Sequence, residues 1–433
     1  MRNGTYLKVK KENLIMIIYA ISAVYFANNG GLSTALLSND IIHLLMLAIF
    51  FCVPILGLML GKIKLLKKDI PIYLLYILMF AVTLHNSDWS LYSTIRYTSI
   101  LLFCIYVTKS LQLAKYSICM LLFTYYIYAF FTFFEFFDRG FYLNHILPLF
   151  EDTAGVLRNA FKLGYMAGIT GHTSSNGMFL SCAILIIASR YLAYRNKKDI
   201  IILFVFITAL LLTGKRGHII FIILSLYGIY YFSLTGQRAT RKIPKIIGIV
   251  FLSMCLALIV MQSIPSVSIV ASRMQNFFAG EDTSVQIRFK LWNLAINGFK
   301  EHPFIGIGWH QFYSKLSYQV GSNRGFETHN VYLQLLCETG IIGFSIYISW
   351  FLFILATALN MYKKIVVQPN AKMADKQIIG FAFAFQLFFA LYCITGNPLY
   401  DWKMNVPYFM TCGIILNYRN ALRRQSESFA VVK

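Results

Sequence analysis

Apolar runs of about 17 to 22 residues recur along nearly the whole chain, separated by short polar or basic segments. As a helix, a run of that length crosses the roughly 30 Å hydrocarbon core of a bilayer. The pattern predicts about twelve spans, near residues 13–30, 41–61, 70–86, 92–108, 115–136, 176–194, 199–213, 218–234, 245–263, 339–361, 376–396 and 404–418. The fold class is therefore an all-α integral membrane protein, with residues 1–433 forming a single polytopic membrane domain. The first run follows "MRNGTYLKVKKEN" without a small-residue cleavage site before the next span, so it reads as a helix and not as a signal peptide.

Lysine and arginine set the orientation. With the N-terminus inside, about 26 of the 39 basic residues fall in segments such as "KIKLLKK", "RYLAYRNKK" and "KKIVVQPNAKMADK" on the cytoplasmic side. Both termini are then cytoplasmic, and two long intervals face outward, about 137–175 and 264–338. The second precedes the tenth span and holds most of the outer surface. Its stretch "SVQIRFKLWNLAINGF" places Ile287, Leu291, Ala295 and Phe299 near helical spacing, with Arg288 and Trp292 four apart on a neighbouring face. That predicts an amphipathic helix at the membrane interface. "KEHPFIGIGWHQF" follows as a turn, because Pro303, Gly306 and Gly308 interrupt any regular element. No internal repeat or long inside linker supports the commonest twelve-span transporter layout.

Composition agrees and adds little. The chain is 58% hydrophobic and only 13% charged, against about 25% charged in an average soluble protein. Its net charge of +22 is accounted for by topology and attraction to anionic lipid, so a nucleic-acid partner has little support. All eight cysteines lie in or at the edge of spans, which leaves no outer disulfide framework and no zinc spacing.

Candidate chemistry begins with basic residues that run against the orientation bias. Lys215 and Arg216, in "LLTGKRGHII", occupy a tight outer turn where topology gains nothing from them. Arg288, Arg158 and Lys162 in "VLRNAFKLG", and Arg96 lie on the same side. Converging guanidinium groups match a diphosphate bidentately. For Arg96 a snorkelling anchor is the simpler reading, while Arg288 reads equally as a ligand and as an interfacial basic residue. His172, in "TGHTSSNGMF", precedes a helix start, where capping outweighs catalysis.

"THNVYLQLLCETG" carries the strongest candidate. Asn330, Gln334 and Glu338 recur every fourth residue and form one polar stripe, with Thr328 as a possible N-cap and His329 about 100° to the side. His329 ends the longest outer loop and titrates in the range suited to proton transfer. The stripe reads either as acceptor-binding groups or as supports that orient the histidine.

Taken together, "TGHTSSNGMF", "TGKRG", "RFKLWNLAINGFKEHPFIGIGWHQF" and "THNVYLQLLCETGIIG" resemble the O-antigen ligase and polymerase superfamily over about residues 165–345. The resemblance implies a glycosyltransferase of GT-C architecture on the outer face of the cytoplasmic, or inner, membrane, with a large outer catalytic loop between helices 9 and 10. It implies an undecaprenyl-diphosphate-linked oligosaccharide donor, a glycan acceptor, membrane lipids, a chain-length regulator as partner, and no metal cofactor. Arg216 and Arg288 match the family's arginines and His329 its loop-end histidine, whereas "GHTSSN" matches the family's HxN pattern only loosely. The expected activity is polymerisation of lipid-linked repeat units, by an inverting displacement with His329 as base. The alternatives are an O-antigen ligase that uses lipid A core, a protein oligosaccharyltransferase of the same superfamily, and, from another class, a flippase or transporter. A flippase predicts charged residues deep in the spans, leaving Arg96 and Glu135 ambiguous. A purely structural scaffold leaves Arg216 and His329 without a purpose.

Overall fold

The computed structural model describes residues 2–28, 40–61, 63, 70, 73–74, 77, 81, 91–149, 164–233, 283–320, 325–368 and 370–431. Its long elements are helices α1 (Arg2–Ala27), α2 (Asp40–Met59), α3 (Leu91–Lys109), α4 (Leu111–Phe137), α5 (Thr173–Tyr194), α6 (Lys198–Leu212), α7 (Arg216–Ser233), α8 (Thr283–Glu301), α9 (Val331–Val367), α10 (Met373–Tyr392) and α11 (Trp402–Val431). Among the described residues there is no strand. Among the described residues six helices, α2, α4, α5, α7, α9 and α10, are long and apolar enough to cross a membrane. The expected span near 245–263 and nearly all of the one near 70–86 lie outside the described residues, as do Arg158 and Lys162.

Burial divides the helices into two layers. A helix that is apolar on every side must be surrounded by others, and α5 is buried from Ser175 to Ser189 and α10 over most of the stretch from Ile378 to Phe389. Helix α5 packs against α4, α6, α7 and α10, while α10 also meets α9 and α11. The outer helices keep broad apolar faces exposed, including Ile41, Leu44 and Leu45 on α2, Phe204 on α6 and Leu352 on α9. Such faces are stable only against lipid. Hydroxyls inside the helices donate back to carbonyls, as Ser181 does to Gly177 (2.7 Å) and Ser189 to Leu185 (2.8 Å). No polar partner is then needed from the bilayer.

Helix α9 is broken. Gly340 has φ 59° and ψ −170°, and the chain on either side of it forms two helices. The outer segment 303–308 inserts its backbone into the break. Pro303 and Phe304 carbonyls accept from the Ile341 (2.8 Å) and Ile342 (3.2 Å) N–H groups, while the Ile307 and Gly308 N–H groups donate to the Cys337 (3.1 Å) and Glu338 (2.9 Å) carbonyls. A Cβ on Gly306 would lie 2.3 Å from the Glu338 carbonyl carbon, and one on Gly340 2.3 Å from that of Phe304. Only glycine permits backbones to cross this closely. The "turn" read from Pro303, Gly306 and Gly308 is thus a splice that holds the outer loop to the start of a span.

The amphipathic helix read from "SVQIRFKLWNLAINGF" is present as α8. Its packed face is Leu291, Ala295 and Gly298, set against Cys337, Phe312 and Leu316, whereas Ile287 stays 37% exposed. Two ambiguous ionisable groups find local roles near the ends of their helices. Glu135 on α4 accepts from the Gly168 N–H at 2.6 Å, fixing the turn before α5, and the Arg96 guanidinium lies 3.1 Å over the Trp402 ring.

Candidate active site

The N-terminal ends of α5, α7, α9 and α11 and the C-terminal end of α10 meet on one side of the bundle. Helix α9 is tied to the end of α10 by the Val331 N–H to the Cys393 carbonyl (2.9 Å) and by the Tyr332 hydroxyl to the Ala390 carbonyl (2.8 Å). Lys403, in the first turn of α11, donates from Nζ to Ser175 Oγ in the first turn of α5 at 2.7 Å. The stem of Lys215 lies along the start of α5, where a Cβ on Gly177 would be 3.3 Å from its Cγ. Gly214, at φ +68°, lets Tyr165 close onto the same turn, since any Cβ there would enter the Tyr165 ring. Helix N-termini carry partial positive charge. Gathering four of them with Lys215, Arg216 and Lys403 makes an end of the molecule suited to an anion.

His329 sits at the centre of this arrangement, in a corner built by its neighbours. Asn330, and not Thr328, caps α9: it takes extended backbone and accepts from the Leu333 N–H at 3.1 Å. Thr328 Oγ1 instead donates to the Asn330 carbonyl (2.7 Å) and accepts from the Asn330 N–H (3.1 Å), closing a tight loop around His329. The Thr328 carbonyl accepts from Trp292 Nε1 at 3.0 Å, which docks α8 onto the same corner. As a result His329 is held at φ 54°, in the left-handed region. For a residue other than glycine, such a conformation costs on the order of 1–3 kcal/mol and persists only where its surroundings enforce it.

Gln334 and Glu338 enforce it from inside. Both are fully buried. Gln334 Oε1 accepts from the Thr328 N–H (3.2 Å) and from Asn397 Nδ2, and its Nε2 donates to Glu327 and to Glu338 Oε1 (3.2 Å). Glu338 Oε2 accepts from the Tyr400 hydroxyl (2.8 Å) and Oε1 from the Phe312 N–H (3.2 Å). The hydrogen-bonding atoms of Gln334 and Glu338 are thus turned into protein. They brace the corner, while Asn330 spends its side chain on the cap.

The electrostatics distinguish two histidines. Burial pushes the His329 pKa down to about 4, and the charges of Arg288, Lys215 and His172 push the same way. His172 is also lowered to about 4, by burial first, then by Lys215 and Lys403, with Asp401 opposing. The residue as a whole nevertheless keeps exposed surface. Its Nδ1 accepts from the Ser174 N–H at 3.1 Å, so it does cap α5. Glu327 moves upward through burial and the nearby Asp401 carboxylate, against the opposing influence of His310. The expected residues Arg288, Lys215, His172 and His329 are thus brought together, and Arg216 opens α7 beside Lys215. Lys403, Asp401, Asn397 and Tyr400 escaped the sequence reading. Lys403 carries the same signal as Lys215, a cation at the end of a span.

The matched sequence segment covers most of this site. Residues 200–348, from α6 through the break in α9, match the family described as O-antigen ligase. Over that segment the chain is similar to the O-antigen ligase and polymerase superfamily. Over 73 residues it is also 33% identical to the exopolysaccharide production protein ExoQ of Rhizobium meliloti (strain 1021), an alignment covering 15% of this chain and 17% of that protein. Within the O-antigen ligase match fall Lys215, Arg216, Arg288 and His329, together with both sides of the splice at Gly340. His172 and Lys403 lie outside it.

Proposed function

We propose that the chain is a membrane glycosyltransferase that polymerises a glycan carried on undecaprenyl diphosphate, working at the outer face of the cytoplasmic membrane. The observation that carries this reading is the placement of His329, held in a left-handed corner among Arg288, Lys215 and His172. Four positive helix ends and several cations at one membrane-facing end suit a lipid diphosphate.

In this mechanism Arg216, Arg288 and Lys215 hold the diphosphate. Neutral His329 takes the proton of the acceptor hydroxyl as its oxygen attacks the anomeric carbon. The bond from that carbon to the diphosphate oxygen breaks, configuration inverts, and the electron pair leaves on undecaprenyl diphosphate. The cations offset the charge that develops there. Binding of the donor also brings negative charge to the groups that depress His329, so the base strengthens when the substrate arrives.

A ligase reading has its own support in the family's description, whereas the exopolysaccharide relative favours polymer synthesis. A flippase is disfavoured by Glu135 and Arg96, both engaged locally at helix ends. Purified protein incubated with lipid-linked repeat units, with and without lipid A core, separates these outcomes. A glycan ladder formed without the core is the result expected; transfer that needs the core would establish a ligase. His329→Ala is expected to lower turnover by about 10²- to 10⁴-fold with donor binding retained, and full activity in that variant would remove the proposed base.

A further inference from the structure

We propose that His172 and Lys403 form a second arm of the diphosphate site, carried by α5 and α11, with His172 as a fixed Nε2–H donor and Lys403 as a cation. This rests on the diphosphate reading above and adds two residues that the O-antigen ligase match does not reach.

The tautomer of His172 follows from its hydrogen bond. A neutral imidazole has one acceptor nitrogen and one donor. The acceptor, Nδ1, is occupied by the Ser174 N–H, so the proton is on Nε2. That nitrogen belongs to a residue with exposed surface at the meeting point of the helix ends. A general base must aim a lone pair at its substrate, and His172 has already committed its own to α5. What it offers outward is a donor, which a phosphate oxygen accepts. Lys215, just before α7, and Lys403, in α11, act on the ring with positive charge, opposed by Asp401, and His329 shares the same electrostatic surroundings. They favour the neutral form.

Lys403 occupies a position that fold stability alone does not explain. A cation in the first turn of a helix meets the positive end of the dipole, the unfavourable arrangement. Its partner in α5, Ser175, is uncharged, and the Asp401 carboxylate is 4.0 Å away. Both ionic side chains stay partly exposed, which leaves such a pair little net energy. An anion placed between the starts of α5 and α11 would engage Lys403 Nζ and His172 Nε2–H together. Two arms then grip the diphosphate, one from the α7 turn and α8, the other from α5 and α11.

The test measures equilibrium binding of undecaprenyl diphosphate to purified full-length protein, alongside KM and kcat for the lipid-linked donor. His172→Ala and Lys403→Ala are each expected to weaken binding and raise KM by about tenfold or more. His172→Gln and Lys403→Arg, which keep a donor and a cation, should recover most of the loss. Ser175→Ala removes the link between the helices but leaves the charge, and should bind like wild type. The inference is overturned if the two alanine variants bind like wild type, or if Ser175→Ala weakens binding as much as Lys403→Ala. Wild-type protein that fails to bind undecaprenyl diphosphate would overturn the functional reading as well, so the two failures are distinguishable.

Discussion

His329 combines a backbone that resists its position with a ring that resists protonation. The left-handed φ is enforced by the Thr328 loop, the Asn330 cap and the Trp292 contact. Protonation is opposed by burial and by the charges of Arg288 and Lys215. A protonated histidine cannot accept a proton, so activity falls as pH drops through its pKa. That point is about 4. Because kcat/KM reports the free enzyme and kcat the complex, the acid limb of kcat is expected at higher pH than that of kcat/KM. Lys215→Ala, which removes one depressing cation, should move the kcat/KM limb upward. Rate profiles against pH check both statements, and coincident, unmoved limbs would show that donor charge does not reach His329.

The elements that place this corner were unequally visible in sequence. Spans are written plainly because hydrocarbon demands unbroken apolar length. The stripe of Asn330, Gln334 and Glu338 was equally plain, but its purpose was not. The groups that satisfy it, Asn397, Tyr400 and the Phe312 N–H, come from distant parts of the chain. The break in α9 was harder still to read, because backbone bonds leave no side-chain pattern beyond Gly306 and Gly340. Gly306→Ala and Gly340→Ala are each expected to destabilise the protein, since positive φ alone costs about 1–3 kcal/mol and the new Cβ would meet backbone at 2.3 Å. Gly140→Ala is the control, because its Cβ would find only Asp138 Oδ1 at 3.7 Å. Apparent melting temperature in detergent should fall for the first two and stay unchanged for the third.

At the scale of the molecule, the proposed site lies at one end and a second charged layer at the other. The far end holds the Arg190–Asp199 ion pair (2.7 Å), Lys363 over Phe232 and Arg419 over Phe353. The basic-residue bias assigns that end to the cytoplasm. Accordingly, Asn196→Cys, in the α5–α6 link, should react with a membrane-impermeant maleimide only after permeabilisation. His302→Cys, after α8, should react in intact spheroplasts. Both are made with the exposed Cys52 and Cys119 changed to serine. The reverse labelling would put the proposed site on the wrong side of the membrane for its reaction.

The splice at Gly340 also sets what kinds of change the outer loop can absorb. Its four hydrogen bonds are all main chain to main chain, so they read the number of residues between Pro303 and Gly308 and are indifferent to most side chains there. Phe304 and Ile305, at 69% and 53% exposed, are free to vary in identity. Adding or deleting one residue would instead move donors out of step with their acceptors, and with them the position of the His329 corner relative to α9. Variation in this segment should therefore take the form of substitution, with its length held constant.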